Sequence, residues 1–231
     1  MATRAAQFVL DHQWVNERFH RLSYDGQPAV LAQADDYALF IKALIDLQQA
    51  SLALDDPEAA QTWLAHATTV QAEFDQWLWY ADAGGYTTTA TDASDRLLVQ
   101  ERPYQDSVIP SANGIASANL VQLALLTEDL TYLDRAEQIL HAFGRVMAQI
   151  PRACPSLLTA LDWVDHPTLV RTTAARVPTL LKQYLPTAVC QVTAELPEGA
   201  VGLVCQALSC QAPATSDAEL TAQLSESLLR R

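Results

Sequence analysis

Two polar clusters in this chain have the residue types that acid–base chemistry or sugar binding requires. The first is Asp35-Asp36-Tyr37; the second runs Glu101-Arg102-Pro103-Tyr104-Gln105-Asp106 and continues through Pro110-Ser111-Ala112-Asn113-Gly114. Two carboxylates divide acid and base work when their surroundings separate the pKa values and both face one substrate. Asp36, Glu101 and Asp106 are the catalytic candidates on that ground. Asp35, Tyr37, Arg102, Tyr104, Ser111 and Asn113 are the binding candidates. Tyrosine rings cover the C–H faces of a polyhydroxylated ligand, while carboxylate, guanidinium, hydroxyl and amide groups pair its hydroxyls. Each residue also has a structural reading. Asp36 and Ser111 suit helix caps, Arg102 suits an ion pair with Glu101 or Asp106, and Asn113-Gly114 suits a bend with positive φ.

Sulfur chemistry is the third candidate. The cysteines are Cys154, Cys190, Cys205 and Cys210. Cys205 and Cys210 form a Cys-x₄-Cys pair without the second pair that completes a zinc site, and without the Cys-x-x-Cys of a redox turn. They read either as buried or incidental thiols or as a reversible disulfide. His12, His20, His66, His141 and His166 have no metal-ligand spacing, so neither a metal nor another cofactor is expected.

Amphipathic helices must position these groups. From Asp36 to about Leu54, Tyr37, Phe40, Ile41, Leu44 and Leu47 recur at steps of three and four, which places them on one helical face with Asp35 or Asp36 as cap. Asp55-Asp56-Pro57 ends that helix and starts a second, running to about Trp79, with Pro57 at its first position. A second hairpin is expected from Ser111–Thr127 and Leu130–Gln149, closed by Pro151. Trp63-Leu64-Ala65-His66-Ala67 corresponds to Tyr132-Leu133-Asp134-Arg135-Ala136, sixty-nine residues on, and a repeated helical pair suggests an array or ring of hairpins. In such a ring the first helices line the inside and begin at one rim, so the two polar clusters would share a mouth.

The connectors read as short strands. Tyr24-Asp25-Gly26-Gln27 carries a two-residue hairpin turn, and Gly84–Thr89 with Arg96–Val99 reads as another hairpin. After Pro151 the pattern changes: 166–171, 187–193 and 200–205 look like strands, and 173–184 and 216–229 look helical. The expected division is a partial (α/α) helical unit over 1–151 and a small α/β appendage over 152–231.

Bulk properties narrow the function classes. Half of the 231 residues are apolar, enough for a sizeable core. A net charge of −13 repels phosphate backbones, so nucleic acid is not an expected partner. No apolar run reaches the roughly 20 residues of a membrane span, and Met1 to Ala6 lacks the basic and apolar regions of a secretory signal. Sparse, uneven cysteines fit a reducing cytoplasm.

With these motifs in view, the chain resembles the C-terminal part of the spermatogenesis-associated protein 20-like thioredoxin-domain family. The resemblance rests on Ala34-Asp35-Asp36-Tyr37-Ala38, Trp79 through Gly84-Gly85-Tyr86, Arg102 to Asp106 with Pro110 to Gly114, and Val204 to Pro213, in the family's order from about residue 5 to about 230. It implies a portion of an (α/α)₆ toroid of the six-hairpin glycosidase type. Ser107-Val108 departs from the small Gly/Asn-Ala pair usual there, and the family's Cys-x-x-Cys is absent. Two or three hairpins of six would leave end helices uncovered. The expected partner is therefore a separate chain supplying the missing toroid half or the thioredoxin-like domain, or a second copy through self-association. Three functional readings follow: a noncatalytic toroid module that binds a carbohydrate-like ligand, a sugar-active epimerase or glycoside hydrolase, or a protein-interaction scaffold.

Overall fold

The computed structural model describes residues 1–93, 98–206 and 209–230. The protein is mainly helical with two small sheets. Helix α1 (Ala2–His12) leads into a three-stranded antiparallel sheet of β1 (Trp14–Val15), β2 (Arg18–Tyr24) and β3 (Gln27–Leu31). The β2–β3 turn is made by Asp25 and Gly26 at φ of 50° and 72°, the left-handed pair that a two-residue hairpin needs. Helices α2 (Ala34–Ala53) and α3 (Pro57–Leu78) then form the first helical hairpin. Asp56 caps α3 by accepting the Ala59 N–H at 3.0 Å, with Pro57 where its missing N–H costs nothing.

Helices α4 (Ala112–Thr127) and α5 (Thr131–Gln149) form the second hairpin, and α6 (Pro155–Asp165) packs against both. Helix α4 is central: nearly every residue from Ala112 to Leu126 is buried, because α2, α5 and α6 surround it. Apart from Asn113, Ser117, Asn119 and Gln122 it is apolar on all sides, as such a position demands. Ser111 caps α4 as expected, accepting the Gly114 N–H. Asn113, wholly buried, accepts the Tyr86 N–H at 2.7 Å and donates to the carbonyls of Tyr86 and Pro103, so its amide ties the segment after α3 to the start of α4.

The remaining chain forms a mixed sheet with the order β5-β4-β6-β7, from β4 (Thr168–Thr172), β5 (Ala188–Val192), β6 (Gly202–Gln206) and β7 (Ser209–Cys210). Between β4 and β5 lies the one-turn α7 (Val177–Leu180); α8 (Asp217–Ser227) follows β7. Side chains alternate across the sheet. Leu169, Val189 and Cys205 face the main helical core, whereas Val170, Cys190 and Val204 pack with Leu220 and Leu224 of α8. Gln49 of α2 joins the parts, accepting the Cys190 N–H at 2.9 Å and donating to the Cys190 carbonyl at 3.0 Å.

Several expectations need correction. Helix α2 begins at Ala34, so Asp35 and Asp36 lie in its first turn, and Asp36 reaches back to accept the Gln33 N–H at 2.8 Å. The hairpin expected over Gly84–Thr89 and Arg96–Val99 is not formed by its described part. Tyr86 bridges to Trp79, Thr88 donates its N–H to the Glu101 carbonyl, and Leu98 and Val99 are exposed outside any strand, while residues 96 and 97 lie outside the described ones. Helix over 173–184 is confined to α7, because only Val177 and Leu180 are buried to offset the stiff side chains of Thr173, Val177 and Thr179. Helices α1 and α6 were not expected from periodicity. Removing the clamp in Asn113→Ala strands buried backbone groups at Tyr86 and Pro103; a loss of about 3 kcal/mol of stability is expected by urea denaturation.

Candidate functional site

The polar side chains of α3 decide where Tyr37 goes. Glu73 and Asp75 flank Phe74, and each accepts a tyrosine hydroxyl: Tyr37 donates to Glu73 at 2.5 Å and Tyr86 to Asp75 at 2.6 Å. The Tyr37 and Tyr86 rings stack on Phe74 with centroids at 5.1 Å and 3.8 Å. Glu73 also accepts the Phe19 N–H and sits 3.5 Å from Arg18. Asp75 pairs with Arg135. Burial pushes both tyrosines well above the ordinary phenol pKa, with the neighbouring carboxylates adding to the shift. Burial also raises Asp75 despite the hydrogen bonds it receives. Tyr37 is therefore a core residue with no face for a ligand.

The other candidates divide between two places. Asp36 pairs with Arg21 at 3.3 Å; Asp35 beside it is raised by burial and by the charge of Asp36. Glu101 is exposed, and its carbonyl pairs with Thr88. Arg102 donates to the carbonyls of Ala83 and Gly84, and its guanidinium lies over the Tyr80 and Phe143 rings rather than beside Glu101 or Asp106. Tyr104 packs on Phe143 with centroids 5.8 Å apart.

Asp106 occupies a different position. Its carboxylate accepts the Ser111 N–H at 2.9 Å, the Ser156 N–H at 2.7 Å and the Ser156 hydroxyl at 2.5 Å. Partial burial pushes its pKa up, but the hydrogen bonds from Ser156 and Ser111 outweigh it and hold the group below the usual carboxylate range. Ser111 and Ser156 also share a hydrogen bond at 3.0 Å, so α4 and α6 begin at the same place.

Asp106 stands at the edge of a cleft of about 640 Å³. Helix α2 contributes Lys42, Asp46 and Gln49; α4 contributes Gly114, Ile115, Ala118 and Gln122; α6 contributes Ser156, Thr159 and Trp163. Leu185, Pro186 and Ala188 close it from the sheet side. Lys42 binds Asp46 at 2.6 Å and 2.7 Å. Asp35, Asp36, Glu101 and Arg102 do not line this cleft. The α2 residues that do begin about two turns beyond the helix start. Lys42, Asp46, Gln122 and Trp163 escaped the sequence reading, because a Lys–Asp pair four apart looks like any exposed helix pair. The available signal was Gln122, a polar residue in the latter half of a mainly apolar helix.

Cys205 and Cys210 are joined in a disulfide, which removes the incidental-thiol reading. Cys154 and Cys190 are free and buried, with burial pushing Cys190 up to about 12. Among the described residues no group of three His, Cys, Asp or Glu side chains is placed to hold a metal ion. No described helix is long and apolar enough to cross a membrane.

No family model matches the chain. It is similar to spermatogenesis-associated protein 20 of Rattus norvegicus and of Homo sapiens, each 29% identical over 171 residues. Those alignments cover 70% of this chain and 21% of each relative. An uncharacterized protein of Caenorhabditis elegans is 30% identical over 139 residues, 59% of this chain and 17% of that protein. The chain thus spans about a fifth of the length of the curated relatives it matches. These similarities support the relationship read from the motifs.

The depressed pKa of Asp106 has a pH signature. A carboxylate whose folded pKa lies below its unfolded value adds stability above the unfolded pKa and loses it as pH falls through the folded one. Asp106→Asn is expected to cost about 2 kcal/mol at neutral pH. In urea melts across pH, the gap between wild type and variant should narrow below about pH 4.

Proposed function

We propose that the chain is a portion of an (α/α) toroid whose inner helices α2, α4 and α6 hold a small, polyhydroxylated, carbohydrate-like ligand without transforming it. The observation that carries the reading is the cleft of about 640 Å³ between those three helices, with an ion pair, amides and hydroxyls on its walls and Trp163 among its apolar groups. Helices α3 and α5, which pack behind α2 and α4, take the outer positions. The two successive helical hairpins support this arrangement, as does the relationship to the proteins named above.

A binding role fits the carboxylates better than a catalytic one. The two that line the cleft are Asp46 and Asp106. Lys42 occupies the first, and the Ser111 and Ser156 groups occupy the second. Asp106, held below the usual carboxylate range by those donors, is not the neutral acid that a sugar-cleaving pair must contain. The ligand's hydroxyls would meet Gln122, Thr159 and the Lys42–Asp46 pair, and its C–H surface the apolar wall.

A thermal-shift series against mono- and disaccharides tests this. A sugar present at about 100 times its Kd adds about 2.7 kcal/mol, a rise of several degrees in Tm. The rise should vanish in Lys42→Ala and Gln122→Ala. No shift across the panel would overturn the ligand class, and turnover of the bound sugar would overturn the noncatalytic assignment.

A further inference from the structure

We propose that the Cys205–Cys210 disulfide is a thiol–disulfide exchange site for an external dithiol, attacked at the sulfur of Cys210. The two cysteines are register partners on β6 and β7, so both side chains leave the same face of the sheet. Their exposures differ sharply. Cys205 is 3% exposed, whereas Cys210 is exposed on β7, the outermost strand of the sheet. An incoming thiolate reaches the outer sulfur first, which makes the Cys205 sulfur the leaving group.

The leaving sulfur lies in the wall of a second, smaller cleft. Cys205 and Cys210 line a cleft of about 290 Å³ whose other walls include Val121, Leu125 and Leu133 of the helices and Arg171 of β4. Cys205 is opposite Leu169, and Arg171 lies two residues further along the same strand, so its side chain is on the same face. Arg171 donates to Gln191 of β5 at 3.1 Å and binds Glu128 at 2.5 Å, so its hydrogen bonds go to these groups and the polarity of attack rests on the exposure difference between the two cysteines.

The step balances as follows. The dithiol's thiolate forms a bond to Cys210 Sγ, the Cys205–Cys210 bond breaks, and the electron pair leaves on Cys205 Sγ, which takes a proton from water. The second thiol of the reductant then attacks its own sulfur in the mixed disulfide and releases the Cys210 thiolate. The dithiol is oxidised to a disulfide, and the protein gains two electrons and two thiols.

The scaffold outlasts the bond. Past Cys210 the strand pair continues through Gln211 N–H to the Val204 carbonyl and through paired bonds between Ala214 and Gly202 or Val201. Released thiols therefore stay adjacent, and oxidation restores the same pair. Cys154 and Cys190, both fully buried, have no comparable route for a reagent.

The experiment is native-state alkylation and mass spectrometry of the intact protein along a dithiothreitol series, with circular dichroism recorded in parallel. Two alkylated sites at Cys205 and Cys210 are expected, with Cys154 and Cys190 unmodified, an unchanged spectrum, and full reversal by oxidised dithiothreitol. Polarity is read from single thiols: Cys210 in Cys205→Ser should react with glutathione disulfide about tenfold faster than Cys205 in Cys210→Ser. Reduction only where the spectrum collapses would overturn exchange. Equal or reversed rates would overturn attack at Cys210. Neither result bears on sugar binding in the larger cleft.

Discussion

A single carboxylate sets the geometry on which the larger cleft depends. Every helix begins with backbone N–H groups that have no partner within the helix. Where α4 and α6 begin together in a partly buried place, those groups need an acceptor, and Asp106 supplies both oxygens. The approach is close: a methyl group at Gly114 would stand 2.0 Å from Ser156 Oγ. Glycine is required there for space rather than for a left-handed backbone. The short separation brings Ser156 and Thr159 alongside Ile115 and Ala118, and the wall they make is continuous.

A related economy governs α3. Glu73 and Asp75 point into the protein from positions flanking Phe74, where periodicity alone places solvent-facing residues. Buried carboxylates need donors. Tyr37 arrives from α2 and Tyr86 from the segment after α3, each bringing a hydroxyl to one carboxylate and a ring to Phe74. The aromatic stack and the polar pairs thus fix the same three segments, with the Phe19 N–H, Gln71 and Arg135 completing the donors around the two carboxylates.

The helical hairpins were legible because their signals are local. Steps of three and four marked α2, α3 and α5; Asp56-Pro57 and Ser111 marked starts; Asp25-Gly26 marked a turn. The repeat of Trp63 to Ala67 at Tyr132 to Ala136 places Ala67 and Ala136 equivalently, both wholly buried. The site was less legible because its residues are defined by partners distant in sequence. Asp106 meets Ser156 fifty residues away, and Arg102 turns toward Ala83 and Gly84 rather than toward the acids beside it. Tyr37 looked like a ligand-facing aromatic until Glu73, thirty-six residues on, claimed its hydroxyl. Helix α6 has eleven residues after a proline, too short for its period to stand out.

Gln49 has a consequence beyond joining two parts of the molecule. Strand β5 is the outer margin of its sheet on the α2 side, and such a margin is a template onto which another chain's extended segment can zip. By meeting both the N–H and the C=O of Cys190, one amide side chain imitates the neighbour that β5 lacks. The strand is thereby closed to recruitment at its midpoint, and a helix side chain protects the protein from fibril-like growth without a proline, a bulge or a row of lysines.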